Sequence, residues 1–132
     1  THAHEGAKGV VKERMDMMLD IAKQLKYIAR TIRGEQKFDA QSIANAATGI
    51  AGHGNRFSKL FPKGSNGHPS EATDNVWKQW SKFVDQSNGM SKAASALANK
   101  VGYAAKSADI LPEFRQLAAT CGACHKSFRV KK

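Results

Sequence analysis

The sequence predicts an all-α chain folded as an antiparallel four-helix bundle. Apolar residues recur at three- and four-residue spacing in four separate stretches, the stripe that one buried helix face requires. No segment alternates apolar and polar residues as a half-buried strand would. The stretches are joined by short links, which favour antiparallel neighbours. With no internal repeat and no composition boundary, residues 1–132 read as a single domain.

The first helix is expected from about residue 6 to residue 33, with Gly34 to end it and residues 1–5 frayed. Its inner row reads Val11, Met18, Leu25 and Ile32, joined by Ile21 and Ile28, which is an a/d seam. The second opens at Asp39, a good N-cap, and presents Ile43, Ala46, Ala47, Ile50, Phe57, Leu60 and Phe61. Gly49, Gly52 and Gly54 either weaken it or let another group come close. Residues 62–73, rich in Gly, Ser, Asn and Pro, form the longest break.

A third helix is predicted from Thr73 or Asp74, with Trp77, Trp80, Phe83, Val84, Ser87, Met90, Ala94, Leu97 and Val101 inward. Asn88 and Gly89 mark a soft point within it. The fourth starts around Asp109, carries Pro112 in its first turn and runs to Val130. Its stripe is Leu111, Phe114, Leu117, Cys121, Cys124, His125 and Phe128.

Leu, Ile, Val and Phe supply 24 of the 132 residues, a thin core unless something else fills it. No run of about 18 apolar residues exists, which argues against membrane insertion. A chain that begins at Thr1 without an apolar leader reads as a mature form whose targeting signal has been removed. The net charge of +10 suits nucleic acid, an anionic membrane or an acidic protein. The basic residues are spread from Lys8 to Lys132, however, and cluster only at Lys126, Arg129, Lys131 and Lys132. Aromatics are not interleaved with them as a nucleic-acid platform requires, so a solvated basic surface is the simpler reading.

Cys121, Gly122, Ala123, Cys124 and His125 spell Cys-x-x-Cys-His, the signature of c-type haem attachment. Residues three apart on a helix lie nearly one turn apart. Their sulfurs can therefore reach two neighbouring haem vinyl groups and form thioethers, and His125 can lie under the iron as proximal ligand. A disulfide between residues so spaced on a helix would be strained. A thioredoxin-like dithiol belongs at a strand-to-helix junction, which this chain lacks. A zinc site needs further ligands, and His2, His4, His53 and His68 are scattered. One haem c per chain, bound through Cys121 and Cys124, would also fill the thin core.

On the opposite side of the iron a Met, another His or nothing could stand. Among Met15, Met17 and Met18 only Met18 falls on the inner row; Met15 and Met17 lie on its flanks, and Met90 reads as packing.

The motif Cys-x-x-Cys-His-x-x-Phe-Arg at Cys121, Cys124, His125, Phe128 and Arg129, with Arg-x-x-x-Met at Arg14 and Met18, resembles the class II c-type cytochromes. That group holds cytochrome c′ and its low-spin c-556 relatives. Leu60, Phe61, Pro62 and Gly64, with Trp77, Trp80 and Phe83, are similar to further family features, and the resemblance spans nearly the whole chain. In cytochrome c′ the position taken here by Met18 typically holds an apolar group, and the five-coordinate iron binds NO or CO. The resemblance therefore implies Met18 and His125 as axial ligands, a pairing that favours the ferrous state.

It further implies that Arg14, otherwise a surface cation, contacts a haem propionate. Arg129 would tune the proximal ring by its charge. Phe57, Phe61, Trp77, Phe83 and Phe128 are expected near the haem. The function implied is a periplasmic electron carrier without enzyme activity, serving redox partner proteins; the positive C-terminal group and the net +10 point to an acidic docking surface on the partner's side. Class II relatives often pair through their first two helices, so the resemblance allows a homodimer.

Overall fold

The computed structural model describes residues 9–130. Among them, α1 (Gly9–Ile32), α2 (Ala40–Phe57), α4 (Trp80–Val101) and α5 (Leu111–Phe128) form the antiparallel bundle. A short α3 (Asn75–Lys78) precedes α4, and 3-10 turns stand at Ser58–Leu60 and Ser107–Ile110. The expected helix start near residue 6, the frayed residues 1–5, His2, His4, Lys8, Lys131 and Lys132 lie outside the described residues.

Local chemistry sets the helix ends. α1 closes in a Schellman arrangement, with Glu35 N–H donating to Arg30 O (2.9 Å) and Gly34 N–H to Thr31 O (3.0 Å). Gly34 takes φ +78° to make that turn. The Asp39 carboxylate caps α2 by accepting from Gln41 N–H (3.1 Å) and the Ser42 hydroxyl (2.9 Å). Pro112 stands in the first turn of α5, where its missing N–H leaves no intrahelical bond unmade.

α2 and α4 share the most extensive interface, and Gly54 makes it close. A Cβ at Gly54 would lie 3.0 Å from the Ser91 backbone N. Across the same contact the buried Ser87 hydroxyl donates to Gly54 O (2.8 Å) and Ser91 to Ala51 O (2.8 Å). The close approach expected of these glycines is thus realised at Gly54. The helix also continues unbroken through Asn88 and Gly89.

The expected third helix is two helices. Gln79 leaves the helical region (φ −121°, ψ 48°), so α3 and α4 are out of phase. Val76 stays buried, while Trp80, expected inward, is 40% exposed. At the other end α5 stops at Phe128 rather than Val130, because the tail is drawn into pairing with the segment before α3. Thr73 N–H donates to Phe128 O (2.9 Å) and Val130 N–H to Glu71 O (2.7 Å), around an isolated bridge between Ala72 and Arg129.

The core has two parts. An aliphatic one gathers Ile21, Ile28, Ile43, Ile50, Leu97, Ile110 and Leu117. An aromatic one gathers Phe57, Phe61, Phe83 and Phe128 around Val76. α1 and α5 meet over only a short stretch. No described helix is long and apolar enough to cross a membrane.

Candidate cofactor site

A mainly apolar cavity of about 400 Å³ is walled by α1 and α5, with α2, α4 and the aromatic cluster also contributing. That volume is in the range of small-molecule and cofactor sites. The last turns of α5 bring Thr120, Cys121, Cys124, His125 and Phe128 to the wall. Cys121 packs on the aliphatic core and Cys124 on the aromatic cluster, so the pair straddles the junction between them.

Both thiols are free and half-buried. Burial raises the pKa of each, that of Cys124 to about 11 with a further push from Cys121. A redox dithiol needs the opposite, a stabilised thiolate. Among the described residues no group of three or more His, Cys, Asp and Glu side chains could hold a metal ion. What remains is a pair of neutral sulfurs at haem-attachment spacing facing an apolar cavity, which fits haem c.

His125 lines the same wall, and burial, aided by the Arg129 charge, lowers its pKa, while Glu71 opposes. The shift favours neutral imidazole, the form that ligates a metal. From α1, Met18 and Met15 both line the cavity, and Met90 joins from α4. Met17 instead packs into the two core clusters. Sequence position had set Met15 aside on a flank. The cavity is wide enough that both neighbours one turn apart reach its wall.

Arg14 is not a surface cation. It is 4% exposed and lines the cavity, its guanidinium 4.3 Å from the centroid of the Phe61 ring. It donates to Leu60 O (3.0 Å), Ser65 Oγ (2.7 Å), Ser65 O and Ser70 Oγ (2.6 Å). Burial lowers its pKa from the usual arginine value. Arg129 also lines the cavity and pairs with Glu71 at 3.1 Å.

Phe57, Phe61, Phe83 and Phe128 form the aromatic wall. Trp77 stands behind it, its indole N–H donating to Phe61 O (3.0 Å), so it supports the wall instead of lining it. Sequence reasoning missed Glu71 and Gln86, both on the wall. Glu71 lies in a loop without periodicity, and Gln86 looks like any polar residue beside an apolar stripe. The buried Gln86 Oε1 has no hydrogen-bond partner among the described residues.

The sequence model described as Cytochrome C′ matches residues 9–129. Cytochrome c-556 of Agrobacterium tumefaciens (strain II Chrys) is 33% identical over 128 residues, covering 94% of this chain and 99% of the relative. Cytochrome c′ of Rhodopseudomonas palustris is 27% identical, covering 93% of this chain and 83% of the relative. A solved structure of cytochrome c′ from Rhodopseudomonas palustris superposes with TM-score 0.87 at 26% identity, covering 96% of this chain and 99% of that one. A Cys-x-x-Cys-His motif set in an apolar cavity, within a bundle that these relatives share from end to end, means that this chain belongs to the cytochrome c′ family and binds haem c.

Proposed function

We propose that the protein is a periplasmic, single-domain electron carrier in which Met18 and His125 hold the iron from opposite helices as six-coordinate, low-spin ligands. The observation that carries this reading is that a thioether on α1 and an imidazole on α5 line one cavity between two helices that otherwise meet only briefly. When bound, the haem supplies a one-electron Fe(III)/Fe(II) couple. The residues have no bond to make or break, and no catalytic acid or base is assigned.

Each side chain has a positional task. His125 offers a neutral ring nitrogen, and Cys121 and Cys124 fix the cofactor against α5. Arg14, one turn before Met18, ties α1 to residues 60–70 and so sets where Met18 stands. Arg129 brings positive charge beside His125, which limits electron donation from that ring. The phenylalanine wall excludes water and favours the less charged state of the site.

Absorption spectra of both oxidation states test the assignment. Low-spin bands and slow, weak CO uptake are expected of the wild type, and high-spin bands with fast CO uptake of Met18→Ala. High-spin bands in the untreated wild type, with ready NO or CO binding, would instead identify a gas-binding protein of the five-coordinate kind.

A further inference from the structure

The α1 wall of the cavity continues onto the molecular surface. Leu19 and Ala22 line the cavity, and both also line a second cleft of about 460 Å³ together with Lys23, Lys26, Tyr27 and Arg30. Leu19 is 50% exposed, so the lip of a buried apolar site is itself an apolar surface spot. From residue 21 to residue 34 the chain carries Lys23, Lys26, Arg30 and Arg33 and no acidic residue.

Helix polarity explains only part of that run. A cation in the last turn, such as Arg30, is favoured by the α1 dipole, but the effect fades within one turn and does not reach Lys23 or Lys26. Arg33 is occupied by Glu35 at 2.5 Å. Asp20, the carboxylate that Lys23 feels, is held by His53 of α2 at 2.7 Å. Glu35 also faces the Arg30 charge, but Asp20 and Glu35 are each engaged by a nearer partner, so Lys23, Lys26 and Arg30 leave a net positive field around Leu19 and Ala22.

We propose that this patch is the docking surface for an acidic one-electron redox protein, seated over the α1 lip of the haem cavity. The proposal rests on the electron-transfer reading given above. Leu19 and Ala22 supply an apolar centre and the three cations a charged rim, the layout of transient protein interfaces. A charged rim speeds encounter more than it tightens the complex, which suits a partner that must leave after each turnover. One electron crosses per encounter: the partner's centre is oxidised by one unit as this protein is reduced by one, with no bond or proton moved.

The test uses the haem-loaded protein and two variants of equal net charge. Lys23→Glu/Lys26→Glu reverses the patch, and Lys78→Glu/Lys82→Glu reverses two exposed lysines on α3 and α4. Oxidation rates are measured with anionic hexacyanoferrate(III) and cationic tris(phenanthroline)cobalt(III) over a range of ionic strength. The α1 variant should slow the anionic oxidant about tenfold at low salt and speed the cationic one, both effects fading at high salt. The control should shift each rate less than twofold, and an acidic flavodoxin should perturb backbone amide signals of residues 19–30 first.

Equal effects from the two variants would show that total charge, not place, governs the rate, and would overturn the proposal. So would sedimentation showing that this face joins two copies of the chain, with Leu19→Glu separating them and leaving the oxidation rates unchanged. Failure of the electron-transfer reading appears elsewhere, as a high-spin spectrum of the untreated protein.

Discussion

Arg14 gives all its hydrogen bonds to backbone carbonyls and serine hydroxyls on residues 60–70, and none to a carboxylate. Its planar fork is suited to several fixed acceptors at once, which a lysine ammonium cannot match. Arg14→Ala should cost about 1–3 kcal/mol in denaturant unfolding, since it removes a buried cation and leaves its part-buried acceptors without their donor. Arg14→Lys should recover less than half of that and still weaken Met18 ligation in the spectrum. None of this was legible from position: every acceptor lies 46 to 56 residues away along the chain. Met18 was legible, because it shares a row with Val11 and Leu25, whereas the place of Met15 on the cavity wall depends on how far α1 stands from α5. Met15→Ala should leave the low-spin spectrum intact, and a change to high-spin there would transfer the ligand role from Met18.

At the scale of elements, the ends that sequence reveals are those written in a few adjacent residues. Gly34, Asp39 and Pro112 act within one turn of themselves, and each stands where local chemistry puts it. The break at Gln79 is different: Thr73 pairs with Phe128 and Val130 with Glu71, contacts between distant parts of the chain that no periodicity encodes. Where α2 meets α4, Gly54→Ala should cost about 1–3 kcal/mol in thermal or denaturant unfolding, because Ser91 backbone cannot move aside without shifting α4. Where α1 meets α2, the hydrogen bond to His53 holds the Asp20 carboxyl below its usual range, with burial opposing. A lowered folded value means that the contribution is full above the ordinary carboxylate range and is lost as pH falls through the folded value. The melting-temperature gap between wild type and Asp20→Asn should therefore hold steady down to about pH 5 and narrow as the pH falls below about 4.

Across the whole molecule, the composition pointed to a core that its own side chains could not complete. The structure places that shortfall in the apolar cavity of about 400 Å³ walled by α1 and α5. The cofactor is thus part of the packing that joins the first helix to the last. Cys121→Ser/Cys124→Ser, which removes both attachment points, should lower the melting temperature by about 10 °C, equivalent to roughly 3 kcal/mol in a chain of this size. Amide exchange in α1 and α5 should accelerate more than in α2 and α4, which share the most extensive interface, closed by Gly54, Ser87 and Ser91 and by aliphatic packing.

Both cysteine thiols face the interior, and this sets an order of events during biogenesis. Whatever machinery couples the porphyrin must reach them while the polypeptide is still open, so maturation races against collapse. Substitutions that hasten closure of the unloaded chain should lower the yield of pigmented protein from cells, even as they harden the finished molecule.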